Sequence, residues 1–139
     1  MQVYFSCSIT GGRDDQKIYA EIVKHLEQLD WTVPTAHLAQ AGVVDEEITI
    51  DPYAVYKRDV DWVKGSDLVV AEVSTPSHGV GYELAIAEMC EIPIICLYQE
   101  GRKVSKMILG NTYPFLRIYA YKDQEDLLSA LDVLLADFL

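Results

Sequence analysis

The residues best suited to chemistry cluster in D-L-V-V-A-E-V-S-T-P-S-H-G-V-G-Y-E-L-A, the run from Asp67 to Ala85. An apolar strand ends there, a Ser/Thr/Pro/Gly loop follows, and a helix opens with a carboxylate, Glu83, in its early turns. N–H groups at a helix start carry the positive end of the helix dipole and favour anions, so the loop reads as a phosphate cradle with Glu83 a few residues away. Asp59 supplies a second carboxylate and Tyr4 a phenol. Two carboxylates beside a tyrosine suit glycosyl transfer: one attacks the anomeric carbon, a second group handles the leaving group's proton, and the phenol orients the nucleophile. Taken singly, each has a plainer reading: a helix-start acid, a solvated helix acid and a core aromatic. The fold must bring them together for the chemistry to follow.

Strand and helix alternate along the chain. The predicted strands are Val3–Ser8, Trp31–Thr35, Leu68–Val73, Ile94–Tyr98 and Phe115–Tyr121. Ile18, Ile22, Val23, Leu26 and Leu29 mark one face of a helix over Arg13–Leu29. Asp51-Pro52 reads as an N-cap and first helical residue of a helix ending at Gly65. Further helices are expected over Gly79–Cys90, Lys103–Leu109 and Asp123–Leu139, the last with Leu127, Leu128, Leu131, Leu134 and Leu135. Ala36–Ile50 is the least regular stretch and is expected to be a long loop. Five alternations imply an α/β fold, a flavodoxin-like or Rossmann-like parallel sheet with helices on both faces, in strand order 2-1-3-4-5. Its crevice opens at the carboxyl ends of strands 1 and 3. The loops S-I-T-G-G-R and S-T-P-S-H-G-V-G follow those two strands, so two lines converge on one crevice.

Gly11 and Gly12 let backbone approach a ligand, but neither a dinucleotide fingerprint nor a P-loop is present. The length of 139 residues fits one domain, 1–139. A net charge of −11 argues against nucleic acid or an anionic membrane surface as partner, while local N–H groups can still hold one phosphate. No apolar run reaches membrane-spanning length and the N-terminus lacks signal-peptide features, so a cytoplasmic protein is expected. Cys7, Cys90 and Cys96 then read as buried free thiols, and His25, His37 and His78 make no metal-ligand spacing with them. Neither a metal nor an organic cofactor is expected.

Y-F-S-C-S-I-T-G-G-R, R-D-V-D-W, A-E-V-S-T-P-S-H-G-V-G-Y-E-L-A and K-V-S-K-M together resemble the nucleoside 2-deoxyribosyltransferase superfamily nearly end to end. Within it, the chain is most similar to the N-hydrolases of 2'-deoxynucleoside 5'-monophosphates. The resemblance implies that Glu83 is the nucleophile of a glycosyl-enzyme intermediate, that Asp59 assists the departing base, and that Tyr4 positions the nucleophile. It makes Ser8, Ile9, Gly11, Gly12 and Arg13 the first loop of the nucleotide pocket. Ser77 stands where transferases acting on free nucleosides carry an acid. A hydroxyl can donate to a 5'-phosphate that a carboxylate would repel, so Ser77 with the Gly79 N–H favours a monophosphate. Ser105 matches a serine that reaches the phosphate from a neighbouring subunit, which implies a homodimer. Cys7, Thr10 and Ala85 depart from the family pattern near the expected base and sugar pocket. The expected activity is hydrolysis to free base and (2-deoxy)ribose 5-phosphate; the alternatives are base exchange by a transferase and a non-catalytic nucleotide-binding module.

Overall fold

The computed structural model of the chain describes residues 1–9 and 15–139. Four parallel strands form one sheet: β1 (Val3–Ser6), β2 (Leu68–Glu72), β3 (Ile94–Gln99) and β4 (Leu116–Tyr121), hydrogen-bonded in that order. Val3 pairs with Leu68 and Ser6 with Ala71, so β1 and β2 end side by side. The helices are α1 (Gln16–Gln28), α2 (Val43–Ile48), α3 (Pro52–Lys64), α4 (His78–Met89), α5 (Lys106–Leu109) and α6 (Gln124–Leu135).

Alternation along the strands splits the core in two. Phe5, Val70 and Leu97 pack against Tyr19, Ile22 and Leu26 of α1 and Leu127, Leu131 and Leu135 of α6. On the other face, Tyr4, Val69, Ala71 and Cys96 meet Val63 of α3 and Val80, Leu84 and Ala87 of α4. Both faces of the sheet are therefore covered, which is why its strands read as continuous apolar runs.

The expected five-stranded sheet is corrected to four strands. Trp31–Thr35 contributes one parallel bridge, Gln2 to Thr32, on the free side of β1. Two features stop the ladder there. Pro34 has no N–H to give, and the Phe5 N–H donates to the Thr35 side-chain oxygen at 2.9 Å instead of a backbone carbonyl. The segment still lies where the second strand was expected, beside β1. The long loop expected over Ala36–Ile50 is likewise corrected: it folds into a 3-10 turn, Ala36–Ala39, and α2. Cys7 and Cys96 are buried as expected, whereas Cys90 is exposed at the end of α4.

The caps set the helix directions. Asp51 accepts from the Ala54 N–H ahead of Pro52 in α3, and Ser77 accepts from the Val80 N–H at the start of α4. Among the described residues, no helix is long and apolar enough to cross a membrane.

Leu131 is fully buried between α6 and the sheet. Leu131→Ala should lower unfolding free energy by about 2–5 kcal/mol, since it removes buried methyl groups and leaves a cavity. Denaturant titration at unchanged slope is the check.

Candidate active site

Glu83 faces a cavity of about 490 Å³ at the carboxyl ends of β1 and β2. Gly79 and Glu83 are four residues apart on α4, one turn of one helix face, and both line this cavity with Ser77. Ser77 caps α4 by accepting from Val80 N at 3.4 Å, which leaves its own hydroxyl hydrogen to donate outward. His78 and Gly79 occupy the first turn, where N–H groups have no intrahelical partner. A carboxylate and an anion-binding helix start therefore share one cavity.

The floor of the site comes from β1. Tyr4 and Ser6 are two residues apart on the strand and share its α4-facing side. Ser6 is buried and donates from Oγ to Oε2 of Glu83 at 2.5 Å. The Tyr4 hydroxyl is buried near Glu83 without a hydrogen bond of good geometry. Burial raises its proton affinity far above the ordinary phenol range, and the charges of Glu83 and Asp59 add to the effect, so it stays a neutral phenol. Burial also pushes the Glu83 carboxyl up to about 7, against the lowering effect of the Ser6 and Tyr4 hydroxyls.

Asp59 reaches the same cavity from α3. Arg58 beside it donates from Nε to Asp59 Oδ1 at 2.8 Å, and its two terminal nitrogens clasp Glu47 of α2 at 3.0 and 3.1 Å. The guanidinium also lies 5.0 Å from the Trp62 ring centre. One arginine thus fastens α2 to α3 and holds one oxygen of Asp59. Leu38, Val44, Ile48, Ile50 and Val55 make this end of the cavity apolar, a surface suited to a flat heterocycle.

The loop between β2 and α4 is tied from behind. Glu72, fully buried, accepts from Ser74 Oγ, from Ser74 N at 3.3 Å and from the Tyr121 hydroxyl at 3.0 Å. Burial raises its carboxyl to about 7, against those three donors. Thr75 donates to Asp15 at 2.9 Å, and Arg102 forks onto both oxygens of Asp15 at 3.2 and 3.1 Å. These bonds hold the chain that presents Ser77.

The expected residues divide accordingly. Glu83, Asp59, Ile9, Ser77 and Gly79 line the cavity, with Tyr4 beneath them. Ser8 is buried and does not line it. Gly11, Gly12 and Arg13 lie outside the described residues. Ser105 caps α5 and lines a separate cavity of about 370 Å³, which adjoins the first at Ser77 and Val80. Within one chain it does not line the Glu83 cavity. Sequence reasoning missed Ser6, Glu47 and Arg58. The strand period could have found Ser6, placed two residues from Tyr4; the Glu47–Arg58 pair carries no local signal.

The profile of the family described as nucleoside 2-deoxyribosyltransferase matches residues 3–136. A 5-hydroxymethyl-dUMP N-hydrolase of Tetraodon nigroviridis is 44% identical over 114 residues, covering 79% of this chain and 80% of that one. A protein of the same name from Danio rerio is 41% identical over 129 residues and 90% of each chain. In structure, the chain is similar to the CMP N-glycosidase BcmB of Clostridium botulinum, with a TM-score of 0.70 at 22% identity, covering 95% of this chain and 99% of that one. It is also similar to a 2-deoxyribosyltransferase from Bacillus psychrosaccharolyticus, with a TM-score of 0.65 at 16% identity, covering 92% and 90%.

The raised Glu83 carboxyl has a stability signature. The unfolded chain releases this proton near 4.5 and the folded chain near 7, so Glu83 progressively disfavours folding as pH rises between those values. Glu83→Gln, which keeps the shape without the charge, should exceed the parent in stability above pH 7 by on the order of 2 kcal/mol. The gap should close below about pH 4.5; urea titrations across pH are the check.

Proposed function

Because the chain belongs to the nucleoside 2-deoxyribosyltransferase family, we propose that it hydrolyses the N-glycosidic bond of (2'-deoxy)nucleoside 5'-monophosphates to free base and (2-deoxy)ribose 5-phosphate. It is an enzyme of N-glycosidic bonds, as are its relatives at 41–44% identity. The observation that carries the substrate class is the pairing of Ser77 and the Gly79 N–H with Glu83 in one cavity. A phosphate at the helix start and a nucleophile one turn further along match the two ends of a sugar 5-phosphate.

In the first step a carboxylate oxygen of Glu83 forms a bond to C1' as the C1'–N bond breaks, through an oxocarbenium-like transition state. The base departs into the apolar end of the cavity, and Asp59 handles its proton. Water then attacks C1' and gives its proton to Asp59 as the ester to Glu83 breaks, and the carboxylate is regenerated. Tyr4 stays protonated and orients Glu83. Holding the phosphate on fixed N–H and hydroxyl groups supplies part of the rate by positioning C1'.

Ser105 completes the phosphate site from a second copy of the chain. Two features support this reading: Ser105 is exposed at the start of α5, and Met107 beside it and Met89 of α4 are exposed at 84% and 85%. Apolar side chains so placed suit a contact between copies.

Glu83→Gln and Glu83→Ala should reduce base release by at least about a thousandfold while nucleotide binding persists. Turnover near the parent level would remove Glu83 from the reaction. Adding a second free base to a nucleoside substrate distinguishes exchange from hydrolysis by whether a new nucleoside accumulates. Ser77→Asp should weaken monophosphate binding on the order of a hundredfold more than nucleoside binding, because like charges meet. Calorimetry with both ligands reads that ratio.

A further inference from the structure

We propose that Ser6 is the positioning residue of this site: its hydroxyl holds Oε2 of Glu83, leaving Oε1 as the oxygen that meets C1'. The inference rests on the reading of Glu83 as nucleophile and adds the device that aims it.

Ser6 stands in a strand whose four residues are all buried. A hydroxyl there needs a partner, since buried polar groups are costly when unpaired. Among the described residues the Ser6 hydroxyl donates to one acceptor, Oε2 of Glu83, at 2.5 Å. Ser6 itself is fixed, because its backbone is registered against Ala71 in the parallel ladder and its side chain turns about a single bond. Glu83 has three side-chain torsions and stands on α4, a separate element. The bond therefore transfers the rigidity of the sheet to a flexible carboxylate on the helix. The Ser6 hydroxyl engages Oε2 of that carboxylate and not Oε1. A charge-assisted bond to one oxygen selects one carboxylate rotamer and leaves the other oxygen free for bond formation.

Tyr4 cannot do this alone. Its hydroxyl lies in the same region without a hydrogen bond of good geometry. The same Ser6 bond also favours the charged form of Glu83, opposing the effect of burial. Loss of the Ser6 hydroxyl should thus change both the aim of the carboxylate and the pH at which it ionises.

The test uses Ser6→Ala and Ser6→Cys, the second keeping a side chain of the same connectivity with a much weaker donor. Two readouts are taken on each: a carbon-13 NMR titration of the Glu83 carboxyl, and the pH profile of base release from a panel of deoxynucleoside monophosphates. In both variants the Glu83 titration and the acid limb of kcat/KM should move up by about one pH unit. At a pH above both limbs, kcat should fall about tenfold with KM within twofold, the pattern of lost positioning. A Glu83 titration unmoved in both variants overturns the role of Ser6 whatever the activity. A moved titration in a protein that releases no base supports the hold on Glu83 and overturns the reaction instead.

Discussion

The candidate site of this protein is built around one carboxylate, Glu83, kept at the seam between a strand end and a helix. The Ser6 and Tyr4 hydroxyls of β1 favour the charged form of Glu83 and offset part of what burial costs. Placed on an exposed helix, the same residue would be an ordinary acid with an ordinary proton affinity. Its position is set by the parallel pairing of β1 with β2, which brings the ends of strands far apart in sequence to one edge of the sheet. The start of α4 is fixed on the same edge by the Ser77 cap, so the first-turn N–H groups and the carboxylate keep a separation of about one helical turn.

The surrounding polar networks hold the walls of the cavity in place. Glu72 is buried where a strand would ordinarily carry Val or Ile, and its three donors bind the loop after β2 to the end of β4. Asp15 and Arg102 tie that loop to the start of α1. On the far wall, Arg58 joins α2 to α3 and holds Asp59 by one oxygen. Removing one partner from such a network leaves the others buried and unpaired, so each is worth more as a constraint than as a single bond.

Much of this was legible in the sequence. Helical spacing at Ile18, Ile22 and Leu26 and the continuous apolar run at Leu68–Val73 located α1 and β2, and Asp51-Pro52 located the start of α3. That the end of the first strand and the loop bearing Ser77 line one cavity followed from the alternation of elements. The second strand failed because Pro34 and the Thr35 side chain take over the bonding that an edge ladder needs, a competition that residue type alone does not resolve. Ala36–Ile50 looked irregular because its two helical pieces are too short to show a period. Ser6 was hidden inside an apolar-looking strand, and Glu47 with Arg58 became a pair only when α2 folded back onto α3.

The central claim is that bond cleavage passes through an ester between C1' and Glu83. The configuration of the product formed when methanol replaces water as acceptor tests it most directly. Two displacements at C1' return the starting configuration, so proton NMR should show the methyl glycoside of the sugar phosphate solely in the anomeric form of the substrate. An inverted product, formed by direct attack of the acceptor, would contradict the account.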